Sequence, residues 1–404
     1  MLPRLRQRYL KRGALGKSAL IDEVCEQWDY SRKHAIKLLN AKTGWGGDLK
    51  KRKGRPPCYG KEVEKILWDL WKVSEQPCGK RLAAMLSLWL PHYEKDCGVL
   101  KTSIKEQVLK ISPAQIDRLL RSRKAKAGAK GRCGTKPGGL LKTQIPIRTN
   151  HWDVRRPGFL EADTVAHCGG SMEGDFIWSV TYTDIFSGWT ANRGTWNKGA
   201  EGVVQATRSV ESLLPFEILG FDCDNGSEFL NYHLIRYFQE RPKKVGFTRS
   251  RPYHKNDNAY VEQKNWTHVR QLFAYDRFGD SALLPLVNEI YTDLWEPLNN
   301  FFKPCMKLLS KTRHGAKMKK VYDKPLTPCD RLLQSEHMSE EAKAILRSQR
   351  AALNPLELSR RLEEKLRALH YSLRSSRPTD SLNFAPNAVI TTNNVTTTTT
   401  TAVS

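Results

Sequence analysis

Hydrophobic positions follow a helical spacing in the first part of the chain. They recur every three or four residues from Lys17 to Trp28, and Ser31 then precedes a second short helical pattern over residues 32–40. Apolar residues at this spacing share one helix face, so the pattern predicts two amphipathic helices joined by a tight turn. Such a pair is typical of a helix-turn-helix, although any small helical bundle has the same pattern.

Basic residues change the interpretation of this region. Arg32, Lys33 and Lys37 lie on the second predicted helix, where a helix-turn-helix would offer them to a major groove. Residues 49–60 form a basic run around Gly-Arg-Pro that resembles an AT-hook peptide, with Arg55 at its centre. A solvated basic linker explains the same run equally well. Residues 61–120 show further amphipathic helices, which predict a second helical DNA-binding module.

From His151 the pattern changes to short apolar and alternating runs, which predict strands. The predicted strands are 159–165, 176–184, 188–194, 217–222 and 245–248, and the predicted helices are 200–212, 227–240 and one from about 256. Three strands, helix, strand, helix, strand, helix is the order of an α/β ribonuclease-H-like domain.

The whole chain is therefore divided into seven parts. They are a helix-turn-helix region (1–48), an AT-hook-like linker (49–60), a second helical DNA-binding module (61–120), a basic linker (121–150), a ribonuclease-H-like core (151–302), a basic helical C-terminal region (303–376) and a disordered Thr-rich tail (377–404). The tail is low in complexity and has too few apolar residues to bury a core.

The net charge is extreme, at +25. Lysines and arginines in such excess favour a polyanionic partner, because neutralising phosphates releases counterions. A ribosomal-type structural protein or a binder of anionic membranes are the alternatives, and the sequence has no apolar run long enough to span a membrane. The nine cysteines form no Cys-x-x-Cys pair, and His167-Cys168 is interpreted as structural. We expect reduced thiols and a cytoplasmic, nucleoid-associated protein.

Three acidic residues are candidates for chemistry. Asp163 lies on the first predicted strand, Asp224 follows the fourth strand at an Asp-Asn-Gly turn, and Glu262 begins a helical pattern. Open α/β sheets bind ligands at the carboxyl ends of their strands. Carboxylates bind Mg²⁺ or Mn²⁺, and two such ions about 3.5–4 Å apart clamp both oxygens of a phosphoryl transfer. Glu161 and Asp222 lie two residues earlier on the same strand faces and are the competing candidates.

These residues stand in a recognisable pattern. Glu161-Ala-Asp163, Asp224-Asn-Gly-Ser-Glu-Phe229 and Tyr260-Val-Glu262-Gln-Lys-Asn265 resemble the three motif blocks of the DDE transposase and retroviral integrase catalytic core. More narrowly, the chain is similar to bacterial insertion-sequence transposases over about residues 150–300. The resemblance implies a ribonuclease-H-like fold, two Mg²⁺ or Mn²⁺ ions, strand cleavage at element ends and 3′-hydroxyl transfer into target DNA. It also implies a homo-oligomer acting on the terminal inverted repeats.

Basic residues near the glutamate are candidates for DNA contact. His254 and Lys255 lie in the segment before the glutamate helix, and Lys264 and His268 lie four residues apart on that helix. An ordinary surface loop and a solvated basic face are the alternatives. Two other functions also fit: a non-catalytic DNA-binding protein derived from a transposase, and a ribonuclease-H-type nuclease without strand transfer.

Overall fold

The computed structural model describes residues 2–40, 58–126, 155–223, 229, 232–249, 259–315 and 317–375. The chain divides into two compact units, one within residues 1–60 and the other from residue 61 onwards. The predicted basic linker at 121–150 lies outside the described residues from 127 onwards, and the tail at 377–404 lies wholly outside them.

The first unit consists of three helices. They are α1 (Leu2–Leu10), α2 (Ala14–Trp28) and α3 (Arg32–Leu39). The chain reverses between α2 and α3 at Asp29, which has a left-handed backbone with φ 50°. Leu20 and Val24 pack against Ala35 and Leu39 in a small core. Both helices expected here are present, and their role in DNA binding stays a prediction.

The second unit begins with four helices. They are α4 (Lys61–Val73), α5 (Gly79–Cys97), α6 (Thr102–Lys110) and α7 (Pro113–Lys126). The buried indole of Trp89 donates to the carbonyl of Phe302 at 3.0 Å, and Arg81 Nε donates to the carbonyl of Pro304 at 2.6 Å. These bonds attach α5 to the segment that ends the predicted core.

A five-stranded mixed sheet forms the centre of the second unit. Its strands are β1 (Phe159–Ala166), β2 (Ile177–Asp184), β3 (Thr190–Trp196), β4 (Gly220–Cys223) and β5 (Gly246–Arg249). The spatial order is β3-β2-β1-β4-β5. The β1–β2 and β2–β3 pairs are antiparallel, and the β1–β4 and β4–β5 pairs are parallel. This order and these directions are those of a ribonuclease-H-like core, which confirms the predicted fold class for this part of the chain.

Helices cover both faces of the sheet. On one face lie α8 (Ala200–Glu211) and α9 (Tyr232–Gln239), whose apolar side chains pack with Leu160, Ala162 and Phe221 in one core. The helix α10 (Ala259–Lys264) contacts β1 and β2, and continues through a π-helical segment, Asn265–Arg270, and a last turn, Gln271–Phe273. Because side chains alternate along a strand, Glu161 and Asp163 share the face of β1 opposite to that of Leu160 and Ala162.

The next long helical element packs beside the sheet. It begins with a 3₁₀ turn at Ser281–Leu283 and α11 (Leu284–Glu289), and continues through π-helical segments at Ile290–Trp295 and Leu298–Phe302. Glu296 of this element accepts hydrogen bonds from Arg193 Nη1 at 2.5 Å and from the Asn192 backbone at 2.7 Å. The element is thereby attached to β3 by a buried ion pair.

The C-terminal region, predicted to be basic and helical, contains a hairpin as well as helices. Residues 308–322 form a hairpin of β6 (Leu308–His314) and β7 (Lys317–Tyr322), followed by α12 (Pro328–Leu333), α13 (Glu340–Ala352) and α14 (Pro355–Ser375). The turn between the strands includes Gly315, which has φ +57°. The expectation of helix is corrected for this segment. None of the described helices is long and apolar enough to cross a membrane.

A buried histidine lies just beyond β1. His167 Nε2 lies 2.7 Å from Ser179 Oγ, which lies 2.7 Å from the hydroxyl of Tyr291, and the imidazole stacks on Phe278. Burial lowers the pKa of His167 to about 3. His167 therefore remains neutral in the folded protein at pH values where an unfolded histidine takes up a proton.

We expect this histidine to make the fold acid-sensitive. The stability that neutral His167 contributes is fully present above pH 6.5 and is lost as the pH falls towards 3. The slope is about 1.4 kcal/mol per pH unit. His167→Gln should remove that slope from the free energy of unfolding measured by urea titration between these limits. His233→Gln is the control, since His233 is exposed. Equal slopes in the two variants would contradict the assignment.

Candidate active site

Two acidic side chains of β1 face the helix that carries Glu262. Glu161 is fully buried, and its Oε2 accepts a hydrogen bond from the backbone N–H of Val261 at 3.0 Å. Val261 lies in the first turn of α10, where backbone N–H groups lack partners within the helix. The carboxylate also lies at the positive end of the helix dipole. Glu161 therefore fixes the start of α10 to the sheet, which favours Asp163 as the candidate for chemistry.

Asp163 makes the second link between β1 and this helix. Its Oδ1 accepts a hydrogen bond from the backbone N–H of Thr164 at 2.8 Å, and its Oδ2 accepts one from Asn265 Nδ2 at 2.6 Å. Asn265 lies three residues after Glu262 on the same helix. The Oδ1 atom of Asn265 is buried and has no hydrogen-bond partner among the described residues. The carboxylate of Asp163 is therefore oriented by its own strand and by Asn265, which lies within one turn of Glu262.

Glu262 itself is exposed. It is flanked by Val261 and Asn265, which both donate to carboxylates of β1. An α-helix rises about 5.4 Å per turn, so the backbone of Glu262 lies close to the face of β1 that carries Asp163. Trp266 follows one turn later and is 53% exposed. The structure thus brings two of the three predicted carboxylate positions to one region.

The third predicted carboxylate, Asp224, lies outside the described residues. The described part of β4 ends at Cys223, which pairs with Ala162 of β1, the residue before Asp163. Its competitor Asp222 is buried, and its Oδ1 accepts a hydrogen bond from Thr248 Oγ1 at 2.6 Å. Within the part of the chain that the structure describes, no group of three His, Cys, Asp or Glu side chains is arranged to hold a metal ion.

Lys264 and His268 do not form the exposed basic face that the sequence suggested. His268 is only 5% exposed and packs edge-on against Trp295. Lys264 is half-buried, and its Nζ lies 3.4 Å from both the Gly188 carbonyl and His268 Nε2. Burial lowers the pKa of Lys264, and burial together with Lys264 lowers the pKa of His268. The prediction that Lys264 and His268 form a DNA-binding face is therefore corrected. Their spacing of four residues places both side chains on an interior face of the helix.

The other predicted DNA-binding residues are placed in part. Arg32 forms an ion pair with Asp22 and donates to Ser18 Oγ at 2.8 Å, so it is engaged within the helical unit. Lys33 and Lys37 are exposed on α3. Arg55, His254 and Lys255 lie outside the described residues.

Asn265 is the residue that sequence reasoning overlooked as part of the site. The helical spacing places it only among the residues of the apolar face, and its position three residues after Glu262 was the available signal. Residues three apart on a helix are neighbours on its surface. An amide at position 265 therefore contacts the same part of the sheet that the Glu262 side of the helix faces.

We expect Asn265→Leu to lower the free energy of unfolding by roughly 1.5–3 kcal/mol, because the charged carboxylate of Asp163 loses a hydrogen bond. Gln263→Leu is the matched control, since Gln263 is exposed on the same helix and loses the same type of side chain. Urea denaturation measures both. A double-mutant cycle with Asp163→Asn isolates the pair, and the absence of coupling between the two positions would contradict this assignment.

Several solved structures show a low likeness to this chain. The HTLV-2 integrase catalytic core domain in complex with magnesium (dimeric form) is 16% identical, with 37% of this chain and 90% of that chain covered and a TM-score of 0.27. The simian T-cell lymphotropic virus intasome in complex with PP2A regulatory subunit B56 gamma is 15% identical, with 56% and 70% covered and a TM-score of 0.30. The catalytic core domain of BIV integrase is 16% identical, with 29% and 70% covered and a TM-score of 0.23. At these scores the likenesses carry no argument about function.

A relative is similar in sequence to this chain over most of the length of both proteins. No family model matches the chain. The uncharacterized protein y4rM of Sinorhizobium fredii (strain NBRC 101917 / NGR234) is 34% identical over 336 residues, which cover 80% of this chain and 92% of that protein. Identity at this level across nearly the whole relative indicates common descent, and the chain therefore belongs to the same family as y4rM.

Proposed function

We propose that the chain is a DDE-type DNA transposase, a polynucleotidyl transferase that cleaves strands at element ends and transfers the 3′-hydroxyl into target DNA. One observation carries this proposal: Asp163 of the central strand is hydrogen-bonded to the helix of Glu262 within a ribonuclease-H-like sheet. The three motif blocks of the sequence, which resemble those of transposases and integrases, support the same interpretation.

The available donors fit a hard divalent cation. Asp163 and Glu262 supply carboxylate oxygens, and the unpartnered Oδ1 of Asn265 is a further oxygen beside Asp163. Asp163, Asp224 and Glu262 would hold Mg²⁺ or Mn²⁺, in our proposal two ions. When bound, these ions would stabilise charge on the phosphate and activate the attacking hydroxyl or water.

The chain's own residues set the geometry in advance. The amide of Asn265 and the N–H of Thr164 orient the Asp163 carboxylate, and Glu161 holds the first turn of α10. Groups fixed by hydrogen bonds before the substrate arrives need less reorganisation during the reaction. Glu262 therefore stands on a helix whose start and second turn are both attached to the strand of Asp163.

The proposed substrates are the terminal inverted repeats of the element and the target DNA. The charge of +25 suits a DNA partner, and the exposed Lys33 and Lys37 of α3 are available for phosphate contacts. We further propose that the chain acts as a homo-oligomer on DNA and associates with the nucleoid.

Each of the variants Asp163→Asn, Asp224→Asn and Glu262→Gln should reduce strand cleavage by at least roughly a hundredfold, the scale on which loss of one electrostatic stabiliser is felt. Binding to the same DNA should stay nearly unchanged. Cleavage of a labelled element-end duplex in Mg²⁺ or Mn²⁺ measures the first effect, and a binding titration without divalent metal measures the second.

Glu201→Gln is the control for this series, because Glu201 is exposed on α8 and the change removes one carboxylate elsewhere. Cleavage that survives in any of the three variants removes that residue from the proposed site. A target plasmid in the same reaction separates the alternatives: joined products support transposition, nicks alone support a nuclease, and binding alone supports a non-catalytic DNA-binding protein.

A further inference from the structure

Among the side chains that the structure describes on the β6–β7 hairpin, residues 308–322, none is buried. The side chains that the structure describes on both strands are exposed, among them Leu309 at 66%, Met318 at 48% and Tyr322 at 45%. Strands in stable sheets bury at least one face, and an isolated two-stranded hairpin is at best marginally stable in water. A partner that covers one face of the hairpin would stabilise it.

The charges on this hairpin indicate what that partner is. Lys311 lies directly opposite Lys320, Thr312 opposite Lys319, and Arg313 opposite Met318. Like charges directly opposite each other destabilise a strand pair. No carboxylate in the part of the chain described here forms an ion pair with Lys311, Arg313, Lys319 or Lys320. An anionic surface placed against the hairpin would relieve this repulsion.

The foot of the hairpin is firmly held although its arm is exposed. The Lys307 backbone donates to Asp323 Oδ1 at 2.6 Å, and Arg331 of α12 forms an ion pair with Asp323 at 2.7 Å. Lys307 Nζ donates to the carbonyl of Phe186, in the turn between β2 and β3, at 2.7 Å. The hairpin therefore projects from a fixed point on the ribonuclease-H-like core.

We propose that this hairpin is a duplex-binding arm that contacts the phosphate backbone of DNA independently of sequence. A two-stranded ribbon fits the major groove, which is about 12 Å wide. Lys311, Arg313 and Lys320 share one face of the ribbon, because Lys311 pairs with Lys320 and side chains alternate along each strand. A second copy of this basic chain is a poorer occupant, since it brings charge of the same sign. The arm rests on the proposed function only in taking DNA as the polyanion.

The test compares two variants that each lose three positive charges. One carries Lys311→Gln, Arg313→Gln and Lys320→Gln. The control carries Arg347→Gln on α13 with Arg361→Gln and Arg374→Gln on α14, all of which are exposed. Binding to a labelled duplex of arbitrary sequence is titrated over a series of salt concentrations without divalent metal.

For the hairpin variant we expect the slope of log K against log salt to become shallower by about 0.9 for each phosphate that the protein no longer neutralises, and so by up to about 2.7. The control variant should keep the slope of the unmodified protein. Equal slopes in the hairpin variant and the control overturn the proposal. An unchanged slope together with an altered oligomeric state in sedimentation also overturns it, because the hairpin is then an interface between copies.

A second measurement uses the unmodified protein and needs no variant to fold. Acetylation of lysines without divalent metal, followed by mass spectrometry, should show Lys311 and Lys320 protected when the duplex is bound, while Lys244, which is exposed just before β5, reacts equally in both states. Equal reactivity of Lys311 and Lys320 with and without duplex overturns the proposal. Both measurements omit metal, so a failure to cleave DNA counts against the proposed function and leaves the arm intact.

Discussion

Two hydrogen bonds to carboxylates of one strand hold the glutamate helix on the sheet. Glu161 accepts from the backbone of Val261, and Asp163 accepts from the side chain of Asn265. Hydrogen bonds to charged groups contribute about 1.5–3 kcal/mol each, and they fix direction as well as distance. The position of Glu262 therefore depends on the carboxylates of Glu161 and Asp163. The different roles of the two acids of β1 follow from their burial. Glu161 is enclosed beneath the helix and anchors it, while Asp163 is only half-buried.

Much of the core was predictable because its strands and helices show a clear hydrophobic periodicity. The strand predicted at 159–165 is observed as Phe159–Ala166, and the one predicted at 176–184 is observed as Ile177–Asp184. Alternation along these strands separates side chains that pack with the apolar core, such as Leu160, from acids that face α10. The convergence of β1 with the glutamate helix follows from that alternation combined with the order of the strands, whereas the position of Asp224 stays a prediction.

Other features depend on tertiary partners that a period does not reveal. His268 has the same helical spacing whether its face is solvated or interior, and only the packing of Trp295 against it decides. The position of Asn265 three residues after Glu262 is a signal whose meaning becomes clear only when β1 supplies Asp163 as an acceptor. In the hairpin, alternation is obscured because charged residues occupy both faces of β6 and β7, so the segment was predicted only as part of a basic helical region.

The orientation of the helix beyond α10 depends on how many residues its π-helical segment contains, as well as on which residues they are. A π turn contains about one residue more than an α turn. Beyond Asn265 the chain is therefore rotated by about 100° relative to an uninterrupted α-helix. That rotation is compatible with Asn265 meeting Asp163 while Val269 and Phe273 enter the core. Shortening the segment by a single residue would turn the apolar face of the last turn away from the sheet. The number of residues at this point is thus constrained as well as their chemistry.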